Sequence, residues 1–228
     1  MRSSSTAKKS APENEAVRTL RAIKKFIIPL APPVFALEKS IRATPFKILI
    51  SVLLSSRTKD AVTEKASARL FAAAGTPGKM ALLSEAEIAR LIYPVGFYRT
   101  KARHLRETAA LLLERHDGRV PQSMDELLEL PGVGRKTANL VRNLGYGLPG
   151  ICVDTHVHRI SNRLGWVRTA SPEQTEKALE QVLPRRYWIE VNELLVGFGQ
   201  RLCTPLSPKC SACPIRGWCP RIGVGRSR

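Results

Sequence analysis

The sequence predicts an all-α protein, and three features carry that expectation. Apolar residues recur at helical spacing in one segment after another, and strand-like alternation is nearly absent. Short stretches headed by Ser, Thr, Asp or Pro join the segments. At 228 residues the chain can bury one or two cores without cross-links.

The elements follow in order. Met1 to Ala16 is rich in Ser and Lys but lacks an apolar run. It reads as a disordered basic tail, not a secretory signal; an organelle transit peptide stays open, with Glu13 and Glu15 against it. Thr44-Pro45 opens a helix through Phe46, Ile48, Ile50, Val52, Leu53 and Leu54, with proline at the first helical position. Asp60 is placed to cap the next helix, which carries Val62, Ala66 and Leu70. Ser84-x-x-Glu87 and Ser123-x-x-Glu126 have the form of capping boxes. Ala102, Leu105, Ala109, Leu112 and Leu113 make one face of a helix ending near Asp117-Gly118. Ser171-Pro172 starts a later helix, and Tyr187 to Leu202 reads as the last long one.

Charge narrows the partner. Lys plus Arg number 37 against 19 Asp plus Glu, a formal net charge of +18, which calls for a polyanion and salt-dependent binding. The excess is uneven. No acidic residue falls between Leu194 and Arg228, where Arg201, Lys209, Arg216, Arg221, Arg226 and Arg228 stand. The same holds from Ile88 to Arg106, with Arg90, Arg99, Lys101, Arg103 and Arg106. No apolar run reaches the ~18 residues that span a bilayer, and no basic amphipathic helix stands out. Nucleic acid is therefore expected over a membrane, and the protein is expected to be soluble and intracellular, in cytoplasm or nucleoid.

The most informative segment is Leu130-Pro131-Gly132-Val133-Gly134-Arg135-Lys136-Thr137-Ala138, followed by Asp154. Two glycines one residue apart, entered through Leu-Pro, make a tight turn with outward amides, and Val133 gives it an apolar anchor. Amides at a helix start bind anions, and on this basic chain the anion is a nucleic-acid phosphate. The helices on either side, Met124 to Glu129 and Arg135 to Leu144, complete a helix-hairpin-helix unit, a holder of DNA backbone without sequence preference. Lys136 fits two roles, a further phosphate contact or an amine nucleophile, and the segment alone does not choose. Asp154 stands where it would cap a helix beginning at Thr155.

Four of the five cysteines lie close together, as Cys203-x6-Cys210-x2-Cys213-x5-Cys219; the fifth, Cys152, reads as a small core residue. Disulfides are not expected in a reducing compartment. Structural zinc commonly uses two short knuckles separated by a longer loop. One knuckle flanked by spacings of six and five favours a [4Fe–4S] cubane, with zinc left open.

Taken together, Leu-Pro-Gly-Val-Gly-Arg-Lys-Thr-Ala-Asn (130–139), Val-Asp-Thr-His (153–156) and the cysteine loop resemble the endonuclease III family over about Pro45 to Cys219. The resemblance implies two helical domains with DNA in the cleft between them. One is a six-helix barrel over 38–148; the other is a cluster domain of 1–37 plus 149–228. It also implies a [4Fe–4S] cluster on Cys203, Cys210, Cys213 and Cys219. The implied activity is that of a monomeric DNA glycosylase/AP lyase acting on damaged or abasic duplex DNA and releasing oxidised pyrimidines. Lys136 would be the Schiff-base nucleophile, Asp154 the carboxylate that stabilises charge on the sugar, and Gly132, Val133 and Gly134 the backbone holders. His156 and His158 are expected to be structural or DNA-facing.

Three rivals carry different expectations. A monofunctional mismatch glycosylase of the same fold would lack a lysine at the position of Lys136. A non-catalytic DNA-binding module would need neither Lys136 nor Asp154. A zinc-stabilised adaptor would hold zinc. Two positions depart from the family pattern: Arg57 stands where glutamine is usual, and Phe97 where leucine is frequent. The family uses those positions to fill the space left by a flipped nucleotide, so the departures leave lesion range and opposite-base preference open. Phe97 is expected to wedge the adjacent stack, and Arg57 either to enter the duplex, favouring lesions opposite guanine, or to swing out onto a phosphate.

Overall fold

The computed structural model describes residues 14–32 and 44–228, and every regular element among them is helical. Most of the expected basic tail lies outside the described residues. Its last positions do not belong to a tail at all: Asn14 caps a helix, α1 (Glu15–Ile27), by accepting from the Ala16 amide at 2.9 Å. Val17, Leu20, Ile23 and Ile27 form its buried stripe, while Arg18, Arg21, Lys24 and Lys25 occupy the other faces. α1 is thus a basic amphipathic helix that the sequence reading passed over, but its apolar face is already spent on the core.

α2 (Pro45–Ser55) begins as expected, with Thr44 accepting from the Lys47 amide at 3.3 Å. Phe46, Ile48, Leu49, Ile50, Val52, Leu53 and Leu54 are all buried, so this helix is apolar all round and sits at the centre of a core. α3 (Asp60–Ala74) departs from expectation. Lys59 occupies the cap position without a side-chain bond, and Asp60 is inside the first turn, where its charge complements the helix dipole.

α4 (Pro77–Leu82) and α5 (Glu85–Ile92) follow. The capping box at α5 forms in full: the Glu87 amide donates to Ser84 Oγ and the Ser84 amide to Glu87 Oε2. α6 (Tyr98–His116) buries Ala102, Leu105, Ala109 and Leu112, but Leu113 falls off that face and is exposed. It ends in left-handed Asp117 and Gly118, whose amide reaches back to the Leu112 carbonyl at 2.8 Å.

α7 (Met124–Leu128) and α8 (Arg135–Tyr146) flank the glycine turn. The second capping box does not form; Ser123 makes no side-chain cap. Ser123 and Glu126 are both exposed, and water serves the free amides there. α9 (Thr155–Arg163) and α10 (Pro172–Val182) come next, and the last helix, α11 (Glu190–Arg201), starts later than Tyr187, which lies in a short 3-10 turn over Arg185–Tyr187.

These helices bury two separate apolar clusters. One is built from Phe46 to Val141. The other joins Ala16 to Ile27 with Ile151 to Ile215, so the N-terminal helix belongs with the C-terminal third of the chain. α11 lies at the centre of that second cluster and packs against both α1 and α9. Its Gly197 makes the close approach on the α1 side: a Cβ there would fall 2.7 Å from Pro32 Cγ and 3.0 Å from Ile27 Cγ2. Gly197→Val is therefore expected to cost about 1–3 kcal/mol by overpacking, read as a lower denaturant midpoint at unchanged m-value. A midpoint equal to the parent's would show that α1 yields freely.

Candidate active site and nucleic-acid interface

The hairpin turn is fixed from below and open above. Leu130 and Val133 are buried in the first core, and the Val133 amide is used within the turn, donating to the Leu130 carbonyl at 3.0 Å. Gly132 has φ +77°, and a Cβ there would meet His104 Nδ1 at 2.8 Å. Gly134 has an ordinary extended conformation with nothing near its missing Cβ. It caps α8 with no side chain, leaving the first-turn amides open to an incoming acceptor.

Lys136 is exposed one residue into α8. Across from it, Asp154 caps α9: its Oδ1 accepts from the His156 and Val157 amides at 2.8 and 2.9 Å. Both residues, with Gly134 and Arg135, line one open cleft of about 430 Å³. A cationic amine, an anionic carboxylate and free helix amides thus face a common space.

What sets that spacing is a polar stripe on α8. Arg135, Asn139 and Asn143 recur every four residues and all reach toward the second core. Arg135 forks onto Glu176, with Nε 3.1 Å from Oε2 and Nη2 2.8 Å from Oε1. Asn139 Nδ2 donates to Glu176 Oε1 at 2.9 Å and to the Ile151 carbonyl at 3.1 Å. Asn143 Nδ2 donates to the Gly150 carbonyl at 3.0 Å. The Cys152 thiol meets the Lys136 carbonyl at 3.5 Å, and Asn192 holds the Cys152 carbonyl at 2.9 Å. Segment 150–152, directly ahead of Asp154, is therefore laced to the helix that carries Lys136. Gly150 is required by that closeness, since a Cβ would sit 2.4 Å from Asn139 Oδ1. Glu176 is buried on α10, and its hydrogen bond holds the Arg135 guanidinium above its ordinary pKa. Sequence reading missed Glu176 and the stripe; the four-residue spacing of Arg135, Asn139 and Asn143 was the available signal.

The two histidines are tied to protein. His158 Nδ1 pairs with Thr175 Oγ1 at 2.7 Å. His156 Nδ1 lies 3.1 Å from Arg159 Nη2, and burial lowers its pKa against the opposing pull of Asp154. An arginine donates and cannot accept, so this ring nitrogen is the acceptor. Arg159 also donates to the Cys203 carbonyl at 3.0 Å, and Arg163 to the Thr204 carbonyl at 2.7 Å. α9 thereby connects the Asp154 cap to the cysteine loop.

On the other side of the hairpin lies a second hollow, shared by Arg57, Phe97, Lys101, His104 and Gly132. Arg57 and Phe97 are both exposed. Both have left-handed backbones, φ +52° and +58°, at a cost of roughly 1–2 kcal/mol each for non-glycine residues. The Arg57 guanidinium lies 5.4 Å from the Phe97 ring centroid.

Cys203, Cys210, Cys213 and Cys219 line one apolar hollow under α9 and α11, while Cys152 is buried apart from them. Burial pushes the Cys213 thiol up to about 11 and raises Cys219 as well. Thiols in such surroundings become thiolates when cationic iron or zinc is bound. Among the described residues no three His, Cys, Asp or Glu side chains are arranged to hold a single metal ion. Four thiols around one hollow, a single Cys-x2-Cys knuckle flanked by spacings of six and five, suit a cluster better than zinc. Arg163 Nη1 lies 3.5 Å from Cys203 Sγ, a donor of the kind that tunes iron–sulfur centres.

A helix-hairpin-helix beside an amine–carboxylate cleft, with a cysteine loop on the same domain as the carboxylate, defines a class of DNA repair protein. Residues 50–185 match the HhH-GPD superfamily base excision DNA repair protein model, and residues 203–219 match the iron-sulfur binding domain of endonuclease III. Endonuclease III of Thermotoga maritima is 50% identical over 187 residues, covering 81% of this chain and 88% of that protein. Endonuclease III-like protein 1 of Bos taurus is 49% identical over 178 residues, 77% of this chain and 58% of that protein. A solved endonuclease III–DNA covalent intermediate, an estranged-adenine complex, matches with TM-score 0.81 at 35% identity, over 92% of this chain and 96% of that one. The chain belongs to the endonuclease III family. It is a base excision repair glycosylase/lyase that binds DNA and carries an iron–sulfur cluster.

Among the described residues no helix is long and apolar enough to cross a membrane. Removing the Glu176 carboxylate leaves Asn139 short of an acceptor and Arg135 partly hydrated. Glu176→Ala is accordingly expected to cost about 2 kcal/mol, less than a fully buried pair because Arg135 is half-exposed. The unfolding midpoint reads this; a loss below about 0.5 kcal/mol would make the stripe ornamental.

Proposed function

We propose that this protein is a monomeric bifunctional DNA glycosylase/AP lyase that removes oxidised pyrimidines from duplex DNA, with Lys136 as nucleophile and Asp154 as its carboxylate partner. The observation that carries this reading is the shared cleft: Lys136 and Asp154 face the same space, beside first-turn amides of α8 that no side chain caps. The covalent DNA intermediate of the matched endonuclease III structure supports covalent chemistry.

In this reading the first core is the barrel domain, 38–148, and the second the cluster domain, 1–37 plus 149–228. The break between Val141 and Ile151 in the two apolar clusters supports that division. A [4Fe–4S] cluster on Cys203, Cys210, Cys213 and Cys219 supplies, when bound, the cross-link that fixes the C-terminal loop.

The hairpin amides at Gly132, Gly134 and the first turn of α8, together with the basic faces, hold the duplex backbone. Val133, whose amide is used within the turn, serves as the buried anchor of that turn and not as a phosphate donor. Arg57 and Phe97 enter the stack as the damaged nucleotide leaves it, at a cost lowest for a base that already stacks badly. The unprotonated Lys136 amine attacks C1′ of the deoxyribose. The glycosidic bond breaks and the base departs with its electron pair and a proton. Asp154 stabilises positive charge developing on the sugar. The deoxyribose ring then opens: the C1′–O4′ bond breaks, O4′ takes a proton and stays on the sugar as a hydroxyl, and the nitrogen lone pair turns C1′ into an iminium. Loss of a C2′ proton then expels the 3′ phosphate, and hydrolysis returns the lysine. Arg57, a planar fork that matches guanine O6 and N7, is read as favouring lesions opposite guanine.

Borohydride trapping on an abasic duplex tests the chemistry. Lys136→Gln is expected to abolish trapping and strand cleavage while binding an abasic-site analogue within about tenfold of the parent, ~1.4 kcal/mol; a variant that still traps efficiently refutes the assignment. Asp154→Asn is expected to slow base release at least tenfold with the fold intact. An unchanged rate would leave Asp154 a helix cap only.

Backbone holding predicts a second outcome. Affinity for undamaged duplex should fall with salt at a log–log slope of about −0.9 per phosphate neutralised. Gly134→Val, whose Cβ meets no protein atom within 4 Å, should weaken all duplexes alike, with a stability cost of only about 1 kcal/mol from the poorer cap. Sequence-selective weakening would contradict this role.

A further inference from the structure

Lys101 is the one lysine of the basic 88–106 stretch whose amine is turned into the protein. Its Nζ lies 2.8 Å from the Leu54 carbonyl, 2.5 Å from the Ser56 carbonyl and 3.3 Å from Thr58 Oγ1. These acceptors belong to the end of α2 and the turn after it, on either side of Arg57. The Lys101 backbone amide meanwhile donates to the Phe97 carbonyl at 3.0 Å. A single residue thus grips the turn that carries Arg57 and the residue that begins α6.

Two further fasteners join the same pieces. Thr58 Oγ1 accepts from the Gly96 amide at 3.1 Å. Gly96 also lets the Arg57 carbonyl come close, since a Cβ would stand 2.5 Å from that oxygen. Arg57 and Phe97 keep left-handed backbones and stack on each other at the rim of this arrangement. Strained non-glycine residues persist only where their surroundings over-determine them.

We infer that Lys101 is a positioning residue that locks the Arg57 turn to the Phe97 loop, so that the two side chains meet DNA as one preformed unit discriminating the base opposite the lesion. The inference rests on the reading that Arg57 and Phe97 enter the duplex. Preforming such a unit removes the ordering cost that two independent loops would incur on binding.

The fold keeps this amine at some expense. Burial lowers its pKa to about 8. The charged form is therefore the one that folding disfavours, and stability rises as pH climbs from about 8 toward the ordinary lysine value. Among the described residues the hollow's other titratable side chains are Arg57 on the turn and His104 one turn along α6; α2 contributes Leu53, the turn Ser56 and the hairpin Gly132, none titratable. Among the described residues no carboxylate lines the hollow to offset the charge. A methionine would fill the same space without that expense but could not bond the three oxygens.

The test is single-turnover base release from one oxidised pyrimidine placed opposite each of the four bases, with the cluster-loaded protein. Lys101→Met is expected to compress the spread among opposite bases about fivefold, while borohydride trapping on an abasic duplex stays within about twofold. Arg57→Gln should change the ranking, and adding Lys101→Met to it should have little further effect, because both act on one unit. In the parent, raising pH from 7 to 9 should narrow the spread as Lys101 loses its proton; in Lys101→Met the spread should be flat. Changes at Lys136 alter all four rates together and cancel in the ratio. Thr58→Val, which removes the hydroxyl shared by Lys101 and Gly96, should act in the same direction and serves if Lys101→Met does not fold. A uniform loss at all four bases, with spread and pH response intact, would overturn the inference and leave Lys101 a cap on α2. If Arg57→Gln itself leaves the ranking unchanged, the insertion reading fails, and the inference with it.

Discussion

The contact on which the site depends is the polar seam between the two cores. Each core is closed by apolar packing of its own, and neither dictates where the other sits. Arg135, Asn139 and Asn143 supply the register by bonding to Glu176 and to the Ile151 and Gly150 carbonyls. Apolar surfaces slide against each other at little cost; a forked guanidinium and two amides aimed at particular oxygens do not. The seam begins one residue before Lys136 and ends two residues before Asp154. The spacing between amine and carboxylate is therefore set by hydrogen-bond geometry at its nearest neighbours, where an error of about 1 Å costs most.

The three working surfaces radiate from that seam. The cleft holding Lys136 and Asp154 lies at its edge. The hairpin turn continues α8 backward, so its open amides move with Lys136. α9 runs from the Asp154 cap to the cysteine loop, which it grips through Arg159 and Arg163. Gly199 permits this, because a Cβ there would stand 2.1 Å from His156 Nδ1. Small residues are thus placed where one backbone has to approach another's side chain.

Local signals were legible in the sequence, and relations between distant segments were not. Thr44-Pro45, Ser84-x-x-Glu87 and Asp117-Gly118 each act within one turn, so their spacing alone suffices. Asp60 and Ser123 failed because a capping residue type is permissive: the chain enters α3 one residue earlier, and α7 begins where water can serve its amides. α1 was hidden by its basic residues, which resemble a tail until the stripe of Val17, Leu20, Ile23 and Ile27 is set against α11. The motifs pointed to Lys136, Asp154 and the four cysteines, whereas Glu176 and Lys101 carry no motif. Glu176 lies 41 residues from Arg135 and resembles any helical glutamate. Lys101 resembled its basic neighbours, yet its amine points inward.

Glu176 and Lys101 have the same physical character. Each is an ionisable group withdrawn from water at a position where an apolar side chain of similar size would pack with less desolvation. Glu176 is compensated by a cation and an amide, Lys101 only by neutral oxygens, so the second site is the more strained. Each spans a junction that the apolar cores leave undetermined: core against core for Glu176, turn against loop for Lys101. Hydrogen bonds aimed at particular oxygens fix such junctions more narrowly than burial, which is non-directional. A buried carboxylate and a half-buried amine thus stand beside the two places where DNA chemistry needs a defined geometry, the reacting sugar and the vacated stack.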